Sequence, residues 1–168
     1  MIDIGRVSSI ELLRLHARIV EELRDRAIAR TSNNPTGDLA EYLFCKAFDW
    51  RPTENSKAHI DATAADGTRF QIKGRRITRH SESRQLSAIR DLVGRHFDYL
   101  AAVVFSEDYG ILRAAIIPYA VVEQRATFVE RTNSHRFILH DEVWSAPGVR
   151  DVRQALSEVA RSLEAQVP

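Results

Sequence analysis

The tightest constraint on this chain is an Asp66-Gly67 pair set between two alternating runs, His59 to Ala64 and Thr68 to Lys73. Asp-Gly between alternating segments signals a β-hairpin, because both residues tolerate the positive φ of a tight primed turn. The hairpin fixes directions. Side chains two apart on a strand share a face, so Gln71 and Lys73 point one way and Phe70 and Ile72 the other. Cross-strand pairing can bring Asp61, on the first strand, close to Gln71 and Lys73. A carboxylate, an amide and an ammonium on one face form a candidate hydrolytic metal site.

Helices and buried strands surround this hairpin. Ser8-Ser9-Ile10-Glu11 reads as a capping box that opens a long amphipathic helix, with Leu12, Leu15, Ile19, Leu23 and Ile28 at helical spacing. That helix is expected over residues 8–32, its apolar stripe covering the core or a partner subunit. Asn34 to Asp38 opens a second helix running to about Phe48, with Pro35 in the first turn, Asp38 near the positive end of the dipole and Glu41 early on its surface. Residues 77–96 read as a loop and then a short helix. Tyr99 to Phe105 is the near-continuous apolar run of a central strand covered on both faces, and Ile111 to Ile117 is a second buried strand. Tyr119 to Thr127 looks helical, Arg136 to Leu139 reads as a short edge strand, and Asp151 to Gln166 as a final amphipathic helix.

At 168 residues the chain is expected to be one domain. Its parts are the N-terminal helix, an αβββ core over about 36–105, and C-terminal strands and helix over 111–166. The fold class is α/β (α+β), a mixed sheet flanked by helices. The 24 basic and 23 acidic side chains nearly cancel, so net charge selects no partner. Their distribution is more telling: Arg69 to Arg95 holds eight basic residues against Glu82 and Asp91, an excess that favours an anionic ligand. Cys45 is the only cysteine and reads as a buried thiol, which excludes an intrachain disulfide and a cysteine-based zinc site. No apolar run approaches the ~20 residues that span a bilayer, and the N-terminus lacks a signal-peptide pattern. A cytoplasmic protein without a membrane partner is expected.

Glu41 on a helix, Asp61 on a strand and Gln71-x-Lys73 on the next strand resemble the PD-(D/E)xK nucleases of the restriction-endonuclease-like fold. Gln71 stands where that family usually carries an acid, a variant similar to the Mrr-type endonucleases. The stretches "GDLAEYLFCKAF", "HIDATAADGTRFQIKGRR" and "FDYLAAVVF" also resemble small bacterial nuclease-like domains. The resemblance implies a DNA endonuclease using Mg²⁺, or Mn²⁺ in its place, in a restriction or repair setting, acting as a homodimer. Mg²⁺ prefers oxygen ligands, so Asp61 would bind directly, with Glu41 and Gln71 supporting. Lys73 would orient the attacking water or stabilise charge on the phosphate. Lys57, Arg75, Arg76, Arg79, His80 and Arg84 would contact the nucleic-acid backbone, and Gly74 would admit a close ligand. His59 reads as a surface histidine, or as a phosphate contact or general base, and Glu41 alone could be a solvated helix residue. Two other functions fit the same residues: a binding module of this fold without catalysis, and a partner-binding structural protein.

Overall fold

The computed structural model describes residues 3–31, 33–53 and 59–165. The Ser8 hydroxyl accepts from the Glu11 amide while the Glu11 carboxylate accepts from the Ser8 amide, and this reciprocal cap starts α1 (Ser9–Asp25). The helix stops well before residue 32, because Ala27 takes a left-handed φ of 56°. Only Val20 of α1 is buried. Its apolar stripe therefore does not cover the core, the first of the two roles expected for it. α2 (Thr36–Phe48) is different: Pro35 precedes it, Asn34 Oδ1 accepts from the Thr36 amide, and Ala40, Leu43 and Phe44 are buried.

Short strand β1 (Arg51–Pro52) leads to the hairpin of β2 (Ala62–Thr63) and β3 (Arg69–Arg76). The turn differs from the primed one expected. The Ala64 amide donates to Thr68 O at 2.9 Å and the Gly67 amide to Ala64 O at 3.0 Å, which leaves three residues in the loop. Of these, Gly67 alone has positive φ, at 86°. Asp66 instead uses its carboxylate to accept from the Thr68 amide. One left-handed residue at the third position gives a bulged three-residue connection.

β5 (Tyr99–Phe105) runs parallel to β3, and β6 (Ile111–Pro118) runs antiparallel to β5. With β9 (Arg150–Asp151) they complete a six-stranded mixed sheet of order β1-β2-β3-β5-β6-β9. One face carries α2 and α5 (Arg153–Glu164) over Phe70, Ile72, Ala101, Val103 and Ile116. The other face, with Leu100, Ala102, Val104 and Ile117, packs under a smaller layer. That layer contains α3 (Tyr119–Arg125), α4 (Asp141–Trp144) and a three-stranded sheet. The small sheet joins β4 (Ile89–Arg90), β8 (Ser134–Arg136) and β7 (Thr127–Val129), in that order. The chain is thus α+β with a mixed sheet flanked by helices, and the segment 36–105 holds α2 and five of its strands.

Three further expectations need correction. Residues 77–96 form no α-helix: they give β4 and a short 3-10 turn over Leu92–Gly94, bounded by left-handed Asp91 and Arg95. The strand expected at Arg136 to Leu139 lies at Ser134–Arg136, central in the small sheet rather than at its edge. Asp151 belongs to β9, so α5 starts at Arg153, and Gln166 lies outside the described residues.

Candidate active site

The β2–β3 ladder is only two pairs long, ending at Ala62 opposite Phe70. Just beyond it the strands part. The Asp61 amide still donates to Phe70 O at 2.9 Å, but the next inward-facing amide of β3, that of Ile72, donates to the Asp61 carboxylate at 2.7 Å. A side chain thus takes the place of a backbone carbonyl in the ladder, in a charge-assisted bond that fixes the rotamer. Among the described residues, this bond engages Oδ2, and no hydrogen bond reaches Oδ1.

Lys73 lies two residues further along β3, beside Ala102 of β5. Burial holds its amine below the ordinary lysine range, the charges of Asp61 and Glu41 push it up, and Arg90 pushes it down. Glu41 answers from α2, its side chain only 18% exposed and paired with Arg30. Burial, and then the negative charge of Asp61, raise its carboxyl to about 7. Arg30 pulls the other way and loses, since its side chain is 40% exposed and solvent screens it. Asp38 adds a smaller upward push. Glu41, Asp61 and Lys73 therefore feel one another's charge.

Gln71 is 5% exposed, and its Oε1 is buried with no hydrogen-bond partner among the described residues. It sits among buried residues rather than on a wet strand face. A buried acceptor without a donor is a rare and costly arrangement. The candidate ligands are all oxygen: the Asp61 carboxylate, the Glu41 carboxylate that Asp61 repels and Arg30 pairs with, and Gln71 Oε1, the last without a partner among the described residues. All-oxygen chemistry of this kind fits a hard divalent cation such as Mg²⁺.

The basic residues do not gather on one surface. Arg75 and Arg76 are neighbours on β3 and so project from opposite faces. Arg75 donates to Ser83 O and Ser81 Oγ, bracing the loop after the strand. Arg76 donates to the Tyr109 hydroxyl at 3.1 Å and lies over its ring, on the α2 side. Arg84 pairs with Asp141 at 2.7 Å. Arg79 is 78% exposed, 3.9 Å from Glu107, and donates to His80. Lys57 lies outside the described residues. Gly74 serves packing rather than a ligand: a Cβ there would stand 2.7 Å from Thr36 O and 3.0 Å from Ala40 Cβ, so α2 fills the space. Cys45, half-buried, has its thiol raised to about 11 by burial, and then by Glu41, which makes it a poor nucleophile.

Residues that the sequence did not single out complete the surroundings. Arg90 acts on Lys73 from the segment between β3 and β5. In the same segment, Asp91 and His96 meet His59. They lie more than thirty positions from His59 in sequence, and no short-range signal links them. A cavity of about 460 Å³ opens on the far side of Glu41, lined by Arg30, Asp38, Cys45 and Trp50, and neither Asp61 nor Lys73 lines it. Among the described residues no helix is long and apolar enough to cross a membrane. Compared with protein-family models and with curated proteins, the chain matches none.

Proposed function

We propose that the chain is a metal-dependent phosphodiesterase acting on DNA, an endonuclease of restriction-endonuclease-like architecture. The observation that carries this reading is the joint field of Glu41, Asp61 and Lys73 where the β2–β3 ladder ends, with Gln71 on the same face of β3 as Lys73 and its Oε1 without a hydrogen-bond partner among the described residues. The order α2, β2–β3 hairpin, parallel β5 supports the architecture. Asp61, Glu41 and Gln71 would hold Mg²⁺ or Mn²⁺, which would supply a water of lowered pKa and neutralise charge on the phosphate. Lys73, kept dry by its neighbours, presents its ammonium to a phosphate oxygen and steadies the charge that develops there. Asp61 is held in place by the Ile72 amide, so it keeps its geometry without substrate. The exposed Arg79, His80 and Arg90 would add salt-sensitive affinity for the phosphate backbone. Cutting both strands calls for two copies, and α1 offers the exposed apolar residues Ile10, Leu13 and Ile19 for that contact.

The test is nicking of supercoiled plasmid with Mg²⁺ or Mn²⁺. Asp61→Ala and Lys73→Ala are expected to lower the cleavage rate at least roughly 100-fold, as loss of one charge-stabilising donor does, while leaving DNA binding in low salt intact. A wild-type protein that binds DNA and cuts nothing with either metal would instead identify a binding module, the reading that the missing charge at Gln71 favours.

A further inference from the structure

We propose that His59, Asp91 and His96 bind a divalent transition-metal ion of the zinc or cobalt class, at a position separate from the Mg²⁺ ligands Asp61, Glu41 and Gln71. The ion pins the chain ahead of Asp61 to the loop between β4 and β5. One donor atom from each residue lies within 4.8 Å of the others. Metal–nitrogen and metal–oxygen bonds of about 2.0–2.2 Å put two donors of a tetrahedral site roughly 3.4 Å apart, so donors now up to 4.8 Å apart draw together and the 2.6 Å His96–Asp91 pair opens as an ion enters. Two imidazoles and one carboxylate are borderline ligands that favour Zn²⁺, Co²⁺ or Ni²⁺ over Mg²⁺, which takes oxygen.

The loop is shaped around these donors. His96 Nε2 and Asp91 Oδ2 lie 2.6 Å apart. A Cβ on Gly94 would stand 2.6 Å from Asp91 Oδ2 and press on His96 Nε2, so the pair occupies the space that only glycine leaves free. His59 and Asp91, two of the three donors, have left-handed backbones at φ 82° and 45°, and Arg95 beside His96 has φ 47°. Three such non-glycine residues around one cluster mark a local conformation held by its surroundings. The His59 and His96 rings stack at 4.6 Å between centroids with 18° between planes. Joint ligation therefore turns one ring about its Cβ–Cγ bond. With three protein ligands, the ion keeps an open position for water or another ligand.

The site stands apart from the phosphodiesterase reading, and one experiment separates them. The full chain, stripped with chelator, is titrated with Co²⁺ in excess Mg²⁺, following visible absorption, and with Zn²⁺ by calorimetry and thermal shift. The expected result is one ion per chain, with a melting temperature that rises with Zn²⁺. His59→Ala and His96→Ala are each expected to weaken binding by roughly 10–100-fold or more, the scale set even by outer-shell partners. Gly94→Ala weakens it too, and Asp61→Ala leaves it intact. His59→Gln and His96→Gln repeat the test should either alanine variant fold poorly, with far-ultraviolet circular dichroism as the control. Absence of a one-to-one Co²⁺ spectrum overturns the proposal, as does binding that survives both histidine substitutions or disappears in Asp61→Ala.

Discussion

Glu41→Gln isolates the electrostatics of the candidate site, because glutamine keeps the shape and removes the titration. The Glu41 carboxyl is raised from 4.5 to about 7, first by burial and then by Asp61. Since folding raises this pKa, the contribution of Glu41 is fully present below pH 4.5 and is lost as pH rises through about 7. At about 1.36 kcal/mol per pH unit the loss amounts to about 3 kcal/mol. The side chain is 18% exposed, so solvent screening trims this little. The assay is urea unfolding of both proteins in EDTA from pH 4 to 8.5, followed by the fluorescence of Trp50 and Trp144. The difference in unfolding free energy is expected to stay near zero below pH 4.5. It then grows in favour of Glu41→Gln and levels off above pH 7. A difference that does not vary with pH, or one that grows in favour of the wild type, refutes the claim that Glu41 is a half-buried acid in the field of Asp61.

Other substitutions report on neighbouring parts of the argument. Gln71→Met removes the orphaned carbonyl and keeps most of the volume; in EDTA it is expected to stabilise the fold by about 1–2 kcal/mol in urea titrations, while plasmid nicking falls. Gly74→Ala drives a methyl into Thr36 O at the start of α2, and is expected to lower stability by about 1–3 kcal/mol in the same titrations. Leu13→Ala, at a side chain 65% exposed, is expected to change stability by no more than about 0.5 kcal/mol; a larger loss in the monomer would show that α1 packs on the core after all.

Much of the scaffold was legible in the sequence. Tyr99 to Phe105 announces itself because that strand is wrapped by side chains from both layers, which demands apolar residues at nearly every position; of the second strand expected to be buried, Ile111 to Ile117, only Ala114 to Ile117 is buried, while Leu112 and Arg113 are exposed. The hairpin was legible in place but not in kind, since Asp-Gly satisfies both a primed turn and a three-residue loop, and only Gly67 needs positive φ. Residues 77–96 misled because Leu86, Ile89 and Leu92 are buried at helical spacing by separate extended and 3-10 pieces, while Val93 faces solvent. Asp61 and Lys73 stood out through local spacing on a hairpin. The influence of Arg90, and the meeting of Asp91 and His96 with His59, depend on how the β3–β5 crossover folds back, which no local pattern encodes. The arginines after Lys73 read as one cluster in sequence, but strand alternation and partners such as Tyr109 and Asp141 scatter them.

The two outermost strands of the large sheet, β1 and β9, are each two residues long. Strands this short offer few free backbone groups as a template for another strand, so these two edge strands are poor starting points for a sheet shared with a second copy.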